Sequence, residues 1–329
     1  MAPKTSSRSP TSRKAAARKA TPRRAARPSR SVRSVRAPAR DARKVPEGLG
    51  YVEGKVMDLA KATIPLNDRG YLLGDGVFET LRTVNGKVFR LDDHAERMKR
   101  SLKAIGLDEP VEEEFRSAVR ALEKEGHRLY GGELYLRVNI STGPMGDFAE
   151  HERGVIVTGL CRKFKPYPMQ HYSRGVHLIT SKQRKFSQSP LSTVKSLSFL
   201  PHVAARREAM AATVHDAILL NEHGRVAEAT TSNVFARKGD TVYAPGESEG
   251  AVPGVTRAVV LGLVRDAGLE VVEELPVDVL RSAREAWLTN TTGGIVPFTR
   301  FDDAPVGKGE KDTLTARLGK AFETLLRGG

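Results

Sequence analysis

Short apolar runs separated by Gly, Asn, Asp and Pro make up most of the chain, and the spacing within each run assigns its element. From Leu134 to Ile140 apolar and polar residues alternate, the period-2 pattern of a strand with one buried face. Val77–Val84 reads as a strand following the tight Gly74-Asp75-Gly76 turn. Asn85-Gly86 then predicts a type I′ hairpin, with Lys87–Arg90 as the return strand. Tyr51–Val56, Thr63–Leu66 and Val155–Leu160 predict further strands. Asp92 or Asp93 is placed to cap a helix that runs through Ile105 and stops at Gly106, and Val111–Glu125 predicts a second helix.

Beyond residue 163 the same element types alternate with no internal repeat. Strands are expected at Val176–Thr180, Ala217–Asn221, Arg225–Thr230, Asn233–Arg237, Thr241–Ala244, Leu269–Glu273 and Glu285–Leu288. Helices are expected at Pro201–Ala212, where the leading proline lacks only a donor the helix would not use, and at Pro253–Ala267 and Asp312–Leu326. The pattern predicts a two-domain α/β (α+β) body. A small α/β domain spans 48–163, a linker marked by Pro166 and Pro168 spans 164–172, and a larger, strand-rich domain spans 173–329.

Charge changes the picture at one end only. The 329 residues carry a net +15, but residues 1–45 hold 15 Lys+Arg against one acid, Asp41, so the remaining chain is nearly neutral at +1. Residues 1–47, rich in Ser, Arg, Ala and Pro, cannot bury enough apolar surface to offset chain entropy, so a disordered basic tail is expected. Three roles for it stay open. It is a solvated extension, a sequence-indifferent contact to nucleic acid, or a transit peptide, although Pro10, Pro22, Pro28 and Pro38 interrupt any long amphipathic helix there. The single cysteine, Cys161, excludes an intrachain disulfide. No run reaches the 18 or so apolar residues that span a membrane, and no His-x-x-x-His pair supports a metal site, so a cytoplasmic protein without membrane or metal is expected.

Several segments suit an anion or a reactive amine. Gly250-Ala251-Val252-Pro253-Gly254-Val255-Thr256-Arg257 opens a helix with small residues, whose free amides and dipole favour a phosphate; an ordinary Gly-Pro helix start explains it equally. Thr289-Asn290-Thr291-Thr292-Gly293-Gly294 follows a strand and suits an anion too, or is a polar turn. His94 and Arg97 share one helix face, and Arg can fork to a phosphate. Lys195 lies in a stretch of apolar and hydroxyl residues where desolvation would favour a neutral, nucleophilic amine. Glu228 sits between Ala227 and Ala229, where it needs a buried partner or an exposed strand face.

Taken together, these segments resemble the class IV (fold type IV) pyridoxal-phosphate aminotransferases, the group of branched-chain and D-amino acid aminotransferases and aminodeoxychorismate lyase. The resemblance covers about residues 50–327. It rests on Asn67-Asp68-Arg69-Gly70-Tyr71-Leu72-Leu73-Gly74-Asp75-Gly76-Val77-Phe78-Glu79-Thr80, then His94-Ala95-Glu96-Arg97, Lys195-Ser196-Leu197, Glu228-Ala229-Thr230-Thr231-Ser232-Asn233-Val234-Phe235 and Pro253-Gly254-Val255-Thr256-Arg257, in family order.

The resemblance implies pyridoxal 5′-phosphate in a cleft between two domains of a homodimer. It implies that Lys195 forms the Schiff base with the cofactor aldehyde and, once free, carries the proton leaving the substrate α-carbon. Glu228 would face the pyridine nitrogen and keep it protonated, and Arg97, Val255, Thr256 and Thr291 would hold the phosphate. Phe78, Arg137 and Thr292 are the expected substrate contacts. Transfer of an amino group between an amino acid, branched-chain or D-amino acid-like, and a 2-oxo acid is the expected activity. The alternatives are aminodeoxychorismate lyase, in which pyruvate is eliminated, and a polyanion-binding relic without activity. Subfamily marks are mixed. Leu200 stands where branched-chain enzymes usually carry Tyr, Phe78 where bacillar D-amino acid enzymes carry Tyr, and the strand bearing Arg137 lacks their Arg-x-His pair.

Overall fold

A computed structural model describes residues 46–108, 110–146, 154–307 and 313–328 of the chain; the expected tail lies outside the described residues up to Val45. A first sheet is built from β1 (Leu49–Val52), β2 (Lys55–Asp58), β3 (Gly76–Val84), β4 (Lys87–Val88), β5 (Leu134–Ser141) and β6 (Ile156–Lys163), in the order β2-β1-β6-β5-β3-β4. Every pairing in it is antiparallel. Alternate residues of β5 point inward, as its sequence period requires. They meet two helices, α2 (Leu91–Ala104) and α3 (Glu112–Tyr130), whose buried faces carry Met98 and Leu102 on one and Phe115, Val119 and Leu122 on the other. Each such buried side chain contributes roughly 1.5–3 kcal/mol relative to exposure. A short helix, α1 (Arg69–Leu73), precedes β3 and is capped by Asp68, whose carboxylate accepts the Tyr71 amide at 2.8 Å.

After α4 (Met169–Arg174) the chain builds a nine-stranded second sheet. Its strands are β7 (Val176–Lys185), β8 (Asp216–Asn221), β9 (Val226–Ala229), β10 (Asn233–Lys238), β11 (Thr241–Tyr243), β12 (Glu270–Val272), β13 (Glu285–Asn290), β14 (Gly294–Phe301) and β15 (Ala304–Pro305). The order is β12-β11-β10-β13-β14-β7-β8-β9, with β15 on β14. The β14–β7, β7–β8 and β11–β12 pairs are parallel. Helices α6 (Val255–Asp266) and α8 (Thr313–Gly328) cover the stacked rings of Phe235 and Trp287, α5 (Leu200–Ala211) packs Ala205 and Ala209 against β8, and α7 (Val277–Arg281) packs Leu280 on the opposite core. No helix among the described residues is long and apolar enough to cross a membrane.

Local departures from the sequence reading have local causes. The run Tyr51–Val56 is not one strand: Glu53 and Gly54 both take positive φ, 47° and 79°, and turn it into the β1–β2 hairpin. Thr63–Leu66 forms no strand. Neither Asp92 nor Asp93 caps α2. The N-cap is Arg90 in the left-handed region, and the two acids lie in the first turn, where the helix dipole favours them. Helix α3 runs past Glu125 because Gly126 lets it lie against β6: a Cβ there would come within 2.7 Å of Cys161 Sγ. Pro297 hid β14, since proline disrupts the strand pattern; it pairs opposite Trp287.

Candidate active site

Lys195 owes its place to β3. The Phe78 amide donates to the Lys195 carbonyl and the Leu197 amide to the Gly76 carbonyl, both at 2.9 Å, so the segment is laid on β3 as a short antiparallel bridge. Gly76 permits this close packing, since a Cβ would lie 2.8 Å from Leu197 Cδ1, and 2.3 Å from the Ile140 carbonyl oxygen of the neighbouring β5. The lysine reaches a cleft of about 370 Å³ that also exposes Glu228, Arg137, Thr256 and Thr291. Its ammonium lies 4.5 Å from the centre of the Phe78 ring. Burial, with Arg97 adding like charge, pushes it down to about 8.

Arg97 is buried on α2 and grips Glu79 of β3 with two nitrogens, Nε to Oε1 at 2.8 Å and Nη2 to Oε2 at 2.6 Å. His94 Nδ1 lies 2.7 Å from the same Oε2. Burial alone would raise Glu79, but Arg97 and then His94 outweigh it and hold the carboxyl at about 2. Arg97 Nη1 also donates to the Pro253 carbonyl at 3.1 Å, tying α2 to the start of α6. That start is open: Gly254 is the N-cap and no side chain caps it, although the first amides of a helix have no partner within it. Gly254 is packed on Asn233, whose Oδ1 would lie 2.0 Å from an added Cβ. Asn290, at the end of β13, shapes the turn that carries Thr291. Its Oδ1 accepts the amides of Thr292 and Gly293 at 3.0 and 2.6 Å.

Glu228 on β9 is buried and accepts three donors. Lys185 Nζ at 2.8 Å and His202 Nε2 at 3.0 Å meet Oε1, and the Val252 amide at 3.0 Å meets Oε2. Burial raises its proton affinity, but Lys185, followed by His202, brings it down to about 2. Also lining the cleft, the Arg137 guanidinium lies 3.6 Å from the Phe78 ring centre. It donates to Asn139 Oδ1 at 2.8 Å, and among the described residues no carboxylate pairs with it.

Nine of the residues named in the sequence analysis line one cleft: Phe78, Arg97, Arg137, Lys195, Glu228, Val255, Thr256, Thr291 and Thr292; His94 does not, being buried against Glu79 instead. Sequence reasoning passed over Glu79, Lys185, His202 and Asn290 as functional groups. Glu79 sat inside a quoted motif, but nothing in its spacing pointed to Arg97. Chemically the cleft offers a desolvated amine, a carboxylate kept ionised, and an uncapped helix start beside a guanidinium. Thr289 Oγ1, buried among the cleft-lining residues, has no hydrogen-bond partner among the described residues. These features fit a phosphorylated aldehyde cofactor.

The model of the class IV amino-transferase family matches residues 76–301. A D-alanine aminotransferase of Bacillus licheniformis is 32% identical over 278 residues, covering 82% of this chain and 94% of its own. An aminodeoxychorismate lyase of Bacillus subtilis (strain 168) is 32% identical over 271 residues, covering 81% of this chain and 91% of its own. Among solved structures, the branched-chain aminotransferase of the thermophilic archaeon Thermoproteus uzoniensis with norvaline is similar at a TM-score of 0.76 and 26% identity, over 85% of this chain and 95% of that one.

Proposed function

The chain belongs to the class IV aminotransferase family, and on that premise we propose that it moves an amino group between an amino acid and a 2-oxo acid with pyridoxal 5′-phosphate bound in the cleft. The observation that carries this reading is the meeting of Lys195, Glu228 and the open start of α6 in one cleft. The cofactor, when bound, supplies an aldehyde that condenses with amines and a ring that draws electrons from the substrate α-carbon.

Within that reading Lys195 has two tasks. Its Nζ would be the amine that holds the cofactor aldehyde, and, when free, the base that takes the proton from the substrate α-carbon. An amine held at about 8 has a sizeable unprotonated fraction in neutral solution, which suits both tasks. Glu228, ionised by its three donors, holds a proton on the ring nitrogen. Arg97, the amides of Val255 and Thr256, and Thr291 receive the phosphate. Phe78 and Thr292 border the substrate, and Arg137, with no carboxylate of its own, receives a substrate carboxylate.

A homodimer is part of this proposal. Ser198 Oγ donates to the Gly74 carbonyl at 3.2 Å, joining α1 to the start of α5, and Leu66, Tyr71, Leu72 and Leu200 stand exposed in that region, an apolar face for a second copy. The lyase reading stays as the second one, supported by the relative of that name at 32% identity. A panel of amino donors in both enantiomers with several 2-oxo acids, run beside a pyruvate-release assay on aminodeoxychorismate, tests both. Amino transfer that disappears in Lys195→Ala is expected. Normal transfer in that variant at saturating cofactor rejects the role of Lys195, and pyruvate release without transfer selects the lyase.

A further inference from the structure

A second lysine reaches the cleft, and the proposed chemistry gives it no task. Lys185 is the last residue of β7. The β7–β8 ladder shifts register between Thr180 and Arg184, and the shift turns Lys185 inward, buried, rather than leaving it on the strand's outer face. Its Nζ is held by two acceptors: it donates to the Ser192 carbonyl at 2.6 Å and to Glu228 Oε1 at 2.8 Å. The Ser192 contact anchors it to the segment that leads into Lys195. His202 reaches the same oxygen by Nε2, while its buried Nδ1 has no hydrogen-bond partner among the described residues and its ring stacks on Phe199 at 4.3 Å. A carboxylate oxygen can only accept, so His202 donates to it from Nε2, while the Lys185 ammonium is the nearest cation to the Glu228 carboxylate.

We propose that Lys185 is a positioning residue that keeps Glu228 ionised and oriented, so that a proton shared between Glu228 and a heterocyclic nitrogen in the cleft stays on the nitrogen. The reason is a competition for one proton. A carboxylate that already accepts a cation, an imidazole N–H and a backbone amide is a poor proton acceptor. Remove the cation, and a buried carboxylate gains proton affinity because its charge is no longer compensated. The proton then moves toward Glu228, and the ring draws electrons from the α-carbon less strongly. Lys185 thus acts on the reaction only through Glu228.

This inference rests on the placement of Glu228 at the ring nitrogen given above, and the test separates the two. The holoenzyme is prepared as wild type, Lys185→Met, Lys185→Arg, Glu228→Gln and the double variant Lys185→Met/Glu228→Gln. Two quantities are read: the visible absorbance of bound cofactor against pH, and the exchange of the donor's α-deuterium at saturating donor. Lys185→Met is expected to slow exchange about tenfold or more and to raise the spectral midpoint by about one pH unit, because a cation beside the shared proton is gone. Lys185→Arg restores the midpoint, since it keeps the charge. In the Glu228→Gln background, Lys185→Met changes neither quantity further. A wild-type midpoint and exchange rate in Lys185→Met overturn the inference, as does an equal loss in both backgrounds. If Lys185→Met does not fold, Lys185→Gln takes its place with the same two outcomes. A wild-type protein that takes up no cofactor overturns the parent reading and this inference together.

Discussion

Arg97 holds Glu79 through two nitrogens in a site almost closed to water, and the same side chain faces the cleft at the start of α6. Its removal therefore has two separable effects. Arg97→Ala leaves the Glu79 charge buried without its cation, which costs about 3–5 kcal/mol of stability. On the proposed role it also removes a charge-assisted contact to the cofactor phosphate, which would be worth about 1.5–3 kcal/mol, or roughly ten- to over a hundred-fold in cofactor affinity. Adding Glu79→Gln to Arg97→Ala relieves the first effect and not the second. Thermal unfolding of the apoprotein and cofactor titration, measured on both variants, distinguish the two. Recovery of affinity together with stability in the double variant would show that Arg97 serves the fold alone.

At the scale of the element, α6 and its N-cap carry two glycines with opposite requirements: Gly254 at the cap and Gly262 within the helix. Gly254 has no space for a side chain: a Cβ would lie 2.0 Å from Asn233 Oδ1. Asn233 in turn donates to the Val252 carbonyl at 2.8 Å, and the Val252 amide donates to Glu228 at 3.0 Å. Gly254→Ala must therefore move the helix start, the loop before it, or both, and cofactor affinity is expected to fall about tenfold or more. Gly262, two turns further along, meets nothing within 4 Å of an added Cβ. Gly262→Ala is expected to stabilise the protein by up to about 1 kcal/mol, from helix propensity, with cofactor affinity unchanged. Equal affinities for the two variants would mean that the start of α6 does not hold the phosphate.

For the whole molecule, buried titrating groups set the response to pH. His215 is held near 4, below its ordinary 6.5, chiefly by burial. It is neutral in the fold, so stability falls as the pH drops from 6.5 toward 4, where the unfolded chain binds the proton first. Glu79 and Glu228 are held at about 2 against an ordinary 4.5 by Arg97 and Lys185. Their contribution is complete above 4.5 and is lost as the pH falls toward 2. Lys195, lowered to about 8 from 10.5, adds stability as the pH rises from 8 to 10.5, because the fold prefers it neutral. These four groups act in one direction, so the apoprotein's unfolding temperature should decline on acidification in three ranges: from pH 10.5 to 8, below 6.5 and again below 4.5. A level profile from pH 6.5 to 3 would contradict this account.

Local sequence carried the period of β5, the Asn85-Gly86 hairpin with φ of 52° and 78°, and the five longer helices α2, α3, α5, α6 and α8, but not the short α1, α4 and α7; each of those carried is decided by neighbours a few residues apart. It also marked Lys195 and Glu228 as ionisable groups in apolar company, and the family resemblance gave them roles. Alternation says which side of a strand is buried but not what it meets there. Glu79 meets Arg97 only because β3 packs under α2, and Lys185 meets Glu228 only because a register shift in β7 turns the lysine inward. The β1–β2 turn and the proline-bearing β14 likewise depended on sheet partners rather than on their own pattern. Charges buried side by side are tolerated only where the tertiary structure supplies the partner, so the groups that set the proton affinities of this cleft became visible only in the folded chain.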